Sequence, residues 1–96
     1  MKSTCNRRAT TDYEAILTNL RTRSEAAADA CVSRIDAAVE LIAANPRMGS
    51  IAEHVKSDVR YFIVEPYVLY YHIRRSTVRI LRLLHGSQDA ACKLDC

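Results

Sequence analysis

The chain has 96 residues, with 14 basic and 11 acidic side chains for a net charge of +3, 49% hydrophobic residues, and only two glycines and two prolines. That length holds one domain, residues 1–96, which buries roughly 60–65% of its unfolded surface, so the core is thin and a partner could add much. The composition excludes a nucleic-acid coat, and the apolar runs are far too short for a membrane span.

Met1 to Thr10 lacks the apolar run of a signal peptide, so the expected compartment is the cytoplasm, with reduced thiols. Ser3, Thr4 and Cys5 are the candidates for a short edge strand, which the polar surroundings leave short, irregular or dependent on a partner. Thr11-Asp12-Tyr13-Glu14 then has the spacing of a capping box. Tyr13, Ile16, Leu17 and Leu20 recur at helical spacing, and a first helix ends near Arg21–Arg23. Ser24 is the next N-cap, and Ala28, Cys31, Ile35, Ala38, Val39 and Ile42 form the apolar stripe of a second helix. Its many alanines favour helix and allow close helix–helix approach. Asn45-Pro46 stops it.

After a connecting loop, Arg47 to Ser57, the period changes from 3.6 to 2. Val59 to Val64 reads as a strand, Glu65-Pro66 as a turn, and Tyr67 to Arg74 as a second strand. On that second strand Tyr67, Leu69, Tyr71 and Ile73 share one face, and Val68, Tyr70 and His72 the other. Arg75-Ser76 closes a hairpin without the Gly or Asn usual there. Thr77 to His85 is a third strand, apolar on both faces and so expected to be central, ended by Gly86. The predicted fold is α+β, with an N-terminal helical hairpin packed on a three- to four-stranded antiparallel sheet.

Three segments resemble the ParE/RelE superfamily, toxins of type II toxin–antitoxin pairs. They are Ile42-Ala43-Ala44-Asn45-Pro46-Arg47-Met48-Gly49, the hairpin from Val59-Arg60 to Pro66-Tyr67-Val68-Leu69-Tyr70-Tyr71-His72-Ile73, and Val78-Arg79-Ile80-Leu81-Arg82-Leu83-Leu84-His85-Gly86-Ser87-Gln88-Asp89. The resemblance spans roughly Arg8 to Asp89, and its motifs occur in the order the element pattern requires. It implies a small ParD-like antitoxin whose flexible acidic or amphipathic segment wraps the toxin. An exposed apolar groove along the helical hairpin suits such a partner. So do the arginines, which supply eleven of the fourteen basic residues. Arg60, Arg74, Arg79 and Arg82 are the residues expected to meet antitoxin carboxylates.

Two activities are known on such a scaffold, so fold alone does not decide between them. RelE-like members cut messenger RNA on the ribosome; ParE-like members poison DNA gyrase without hydrolysis. RNA cleavage would need a base, an acid and cations. His85, with Arg60, Arg82 and Tyr71, would have to supply them. However, Gly86 stands where ribonuclease relatives carry a Tyr, lysines are few, and strand alternation puts Arg82 and His85 on opposite faces unless a bulge intervenes. The Leu-Leu-His-Gly-x-x-Asp ending is similar to the ParE-like branch. The resemblance therefore implies a gyrase poison that is not itself an enzyme. A ribosome-dependent ribonuclease and a non-toxic antitoxin-binding homologue are the alternatives. No cofactor or metal is implied, because no Cys/His cluster has ligand spacing. Cys31 reads as core, and Cys92 and Cys96 could pair. Sequence-specific DNA binding by this chain is not expected, because no helix–turn–helix spacing is present.

Overall fold

The computed structural model describes residues 1–52 and 58–86. The elements run β1 (Lys2–Cys5), α1 (Arg7–Arg21), α2 (Glu25–Ala44), β2 (Ser50–Ile51), β3 (Arg60–Val64), β4 (Tyr67–Arg74) and β5 (Thr77–His85). The class is the expected α+β, but the sheet is larger than expected. It has five strands in the order β1-β5-β4-β3-β2 and is mixed, because β1 lies parallel to β5. The expected three- to four-stranded antiparallel sheet corresponds to β3, β4 and β5, which pair antiparallel in sequence order. Of the two further strands, β1 contains the candidate edge strand Ser3–Cys5 but is parallel, and β2 is two exposed residues that alternation cannot reveal. β5 is an inner strand, between β1 and β4, as its two apolar faces imply, and β4 is the middle of the five.

The start of α1 differs from the expectation. The helix begins one turn earlier than the Thr11 capping box, because Asn6 takes extended backbone angles and its side-chain oxygen accepts from the Ala9 N–H at 2.8 Å. Thr11 lies within the helix. The earlier start is fixed by β1, since the Asn6 N–H also donates to the Ile80 carbonyl at 3.0 Å. At α2 the Ser24 hydroxyl caps the Ala27 N–H at 3.2 Å, as the sequence predicts.

The helical hairpin covers one face of the sheet. Ala9 and Leu17 of α1 meet Ala28, Cys31, Ile35, Ala38 and Ile42 of α2 over Val64, Leu69, Tyr71, Val78, Ile80 and Leu83. The other face carries a smaller cluster, Ala52, Val59, Tyr70 and Leu84, with Tyr61, Val68 and Leu81 against it. The alternation expected on β4 holds. On β5 it is interrupted, since Tyr70 pairs with Arg82 but Tyr71 pairs with Ile80, so Leu81 is the extra residue of a bulge. The β4–β5 hairpin turns on Arg75 and Ser76, both at positive φ (51° and 61°) despite their side chains. The Glu65–Pro66 peptide bond is cis.

Candidate functional site

Three places bear on function. The first is a groove of about 310 Å³ between β1, the two helices and the sheet, lined by Ala9, Tyr13, Ile35, Val39, Leu69 and Ile80 among others, with Asp36 and Glu40 at its margin. Its walls come from the apolar stripes of α1 and α2. Cys5 also lines it. Burial pushes the Cys5 and Cys31 thiols up, which keeps both protonated and poorly nucleophilic at neutral pH. Burial likewise raises the Tyr13 phenol, with the Asp36 carboxylate adding to the effect.

The second place is where the 46–49 segment crosses β3 and β4. Tyr71 is fully buried. Its hydroxyl donates to the Pro46 carbonyl at 2.8 Å and accepts from the Gly49 N–H at 3.0 Å. Opposite it on β3, the Arg60 guanidinium donates to the Gly49 carbonyl at 2.7 Å and the Arg47 carbonyl at 3.1 Å. Two of the residues named for RNA cleavage are thus brought together, but around backbone groups of their own chain.

The third place is the far end of β5. Asp12 grips Arg82 with both carboxylate oxygens, at 2.7 Å to Nε and 2.9 Å to Nη2, and also accepts from the Leu83 N–H at 3.1 Å. Both side chains of the pair are about 15% exposed (14% and 15%). β1 pairs only as far as Ile80, so the outer edge of β5 is open beyond it, and Asp12 of α1 covers that edge. The bulge at Leu81 precedes both Arg82 and His85, so their alternation is kept, yet the Arg82 side chain reaches across to α1. His85 is exposed, meets the Tyr67 ring edge-on at 6.0 Å, and lines a depression with Asp12, Asn19 and Tyr67.

His85 therefore stands apart from Arg60 and Tyr71. It pairs with Tyr67, four residues along β4 from Tyr71, or about 13 Å at strand rise. The four arginines expected to meet an antitoxin divide likewise. Arg60 and Arg82 are engaged as described, Arg74 pairs with Asp58 at the surface, and Arg79 is exposed. The Arg74 hydrogen bond holds the Asp58 carboxyl below its ordinary range. Sequence reasoning did not foresee Asp12 in this role. Its place beside Thr11 in an apparent capping box offered a local use, and nothing in the spacing points to a strand 70 residues away. His54 and the Cys92–Cys96 pairing lie outside the described residues.

Among the described residues, no group of three or more His, Cys, Asp or Glu could hold a metal ion, and no helix is long and apolar enough to cross a membrane.

A helical hairpin seated on a small mixed sheet, with an apolar groove left between the layers, defines a two-layer α+β protein. Residues 5–90 match the family model described as ParE toxin of the type II toxin–antitoxin system parDE. The chain belongs to that family of toxins. It is 31% identical over 67 residues to Toxin ParE3 of Caulobacter vibrioides, which covers 70% of this chain and 67% of that protein. Its fold is similar to that of a chain in the chromosomal ParDE system from P. aeruginosa, with a TM-score of 0.75, 24% identity, and coverage of 88% and 95% of the two chains.

Proposed function

We propose that this toxin acts in the cytoplasm on DNA gyrase and is neutralised by a ParD-like antitoxin whose amphipathic segment lies in the groove beside Tyr13 and Val39. Membership of the ParE family over residues 5–90 carries this reading. The placement of the candidate cleavage groups supports gyrase over RNA as the target. Tyr71 is buried beneath the 46–49 segment, Arg60 binds that segment's carbonyls, and His85 lies about 13 Å along the sheet. RNA cleavage would need an acid and a base on opposite sides of one phosphate.

The test is a supercoiling and cleavage assay with purified gyrase and the purified chain, with and without ATP. Linear, protein-linked DNA is expected to accumulate. If none appears with toxin well above the gyrase concentration, the gyrase reading fails. Translation-dependent RNA cleavage and its loss in His85→Ala then become the measurement, alongside growth on expression without antitoxin. For the antitoxin, Val39→Asp places a charge in the apolar groove beside Asp36 and Glu40. It should weaken cognate antitoxin binding at least about tenfold, since desolvating an unpaired charge costs well over 1.4 kcal/mol. Unchanged affinity in a variant that still melts cooperatively would remove the groove as the antitoxin's seat.

A further inference from the structure

We propose that the outer face of the sheet, at its β4–β5 hairpin end, is a phosphate-binding surface that takes duplex DNA without regard to sequence. The inference goes beyond the gyrase reading and does not depend on it.

Strand register builds the surface. Lys2, Thr77 and Arg74 stand side by side on β1, β5 and β4, and Thr4, Arg79 and His72 form the next row on the same three strands. Rows and columns repeat at about 6.8 Å along the strands and about 4.8 Å across them. All six side chains point away from the helices, because the residues between them in β4 and β5, Ile73 and Val78, lie in the facing register pair, and Val78 is in the helix-side core. Lys2, Thr4, Arg74 and Arg79 are exposed, and Arg75 adds a further exposed cation at the turn. Arg74 carries a carboxylate partner, Asp58.

The chemistry of these six positions selects the ligand. None is apolar. A wrapped peptide or a folded partner needs apolar or aromatic anchors at the centre of its contact, with charged residues depleted there. The groove beside Val39 has such anchors; these six positions have none, and the apolar cluster around Tyr70 and Leu84 lies further along the same face. Lys, Arg and Thr side chains are instead among the donors that contact nucleic-acid phosphates, whereas the His72 Nε2 between them is buried. Contacts to the phosphate backbone carry no sequence information, so binding through these cations has no sequence preference. The arginines on this face, expected to meet carboxylates, are thus better placed to meet a polyanion.

The experiment is fluorescence anisotropy of labelled duplex DNA titrated with the purified chain over a series of salt concentrations, without gyrase. Binding should be equal for mixed and A·T-rich duplexes, and log K should fall with log salt with a slope of about −3, as three or so phosphate contacts require. Arg79→Ala should weaken binding several-fold on both duplexes and reduce the slope by about 1. Arg34→Ala, an exposed cation on α2, should leave it unchanged. Absence of salt-dependent binding, or Arg79→Ala behaving like the parent chain, would overturn the proposal. So would polyglutamate of matched charge binding as tightly with the same dependence on Arg79, which would assign the face to acidic peptide. None of these outcomes touches the supercoiling assay.

Discussion

The Tyr71 hydroxyl serves as both donor and acceptor for the 46–49 segment, and the consequence of removing it can be stated in energy. Tyr71→Phe leaves the Gly49 N–H and the Pro46 carbonyl without their partner in a buried site, at a cost of about 2–3 kcal/mol. Chemical denaturation should show a lower midpoint with an unchanged slope. Gly49→Ala should cost at least about 2 kcal/mol by overpacking, because the added Cβ would meet the Tyr71 hydroxyl and lie 2.9 Å from the Tyr61 carbonyl. The phenol also sets an alkaline limit. Burial raises the Tyr71 pKa above its ordinary 10.0, and Tyr70 and Tyr67 are raised for the same reason. A group held protonated by the fold contributes stability that is fully present below its unfolded pKa and is lost as pH rises through the folded one. The unfolding midpoint should therefore be flat through neutral pH and fall above pH 10, in step with tyrosinate absorbance. A midpoint unchanged above pH 10 would contradict this. The sequence showed Tyr71 on the core-facing side of its strand, but not its hydroxyl's partners, which come from a segment with no periodic signal of its own.

The elements differ in how they are held. Asn6 and Ser24 each cap a helix, and Asn6→Ala or Ser24→Ala should each cost about 1 kcal/mol. Ser24 was legible because it stands directly before a run of strong helix formers. Asn6 was not, since two arginines follow it where acidic residues are favoured, and Thr11 offered a more familiar pattern. Asp12→Ala should cost about 2 kcal/mol, because it removes the bidentate bond to Arg82 and the acceptor of the Leu83 N–H together. A loss below 1 kcal/mol would mean that water replaces the carboxylate there. The hairpin is strained in the opposite sense. Replacing Arg75-Ser76 by Asn-Gly removes two side-chain residues from left-handed backbone and should raise stability by about 1 kcal/mol or more. The hairpin itself was read correctly because the alternation on either side of it is strong enough to fix its position without turn residues.

For the whole molecule, the helices and the three-strand meander followed from apolar periodicity, while the mixed sheet did not. β1 is exposed at all four residues, and only its hydrogen bonds to β5 define it. The groove was foreseen as a feature of the hairpin, although its floor comes from Leu69, Ile80 and Leu83 of the sheet. Because the core is thin, an antitoxin seated there should act as a stabiliser. At a hundredfold excess over its dissociation constant it would add about 2.7 kcal/mol, visible as a concentration-dependent rise in the melting temperature. A melting temperature independent of antitoxin concentration would show that binding does not favour the folded state.

The pairing of β1 with β5 also fixes an order of events during synthesis. Lys2 to Cys5 leave the ribosome early, but their partners, Thr77 to Ile80, are made near the end of the described chain, as is the Leu83 amide that Asp12 covers. The helical hairpin can form while translation continues, because its contacts are local, whereas the sheet edge must wait for a loop of more than 70 residues to close. A nascent chain stalled anywhere before Thr77 thus lacks both the completed sheet and two of the three floor residues of the groove, Ile80 and Leu83. An interrupted message therefore yields fragments that carry the helical hairpin but not the Ile80 and Leu83 side of the groove.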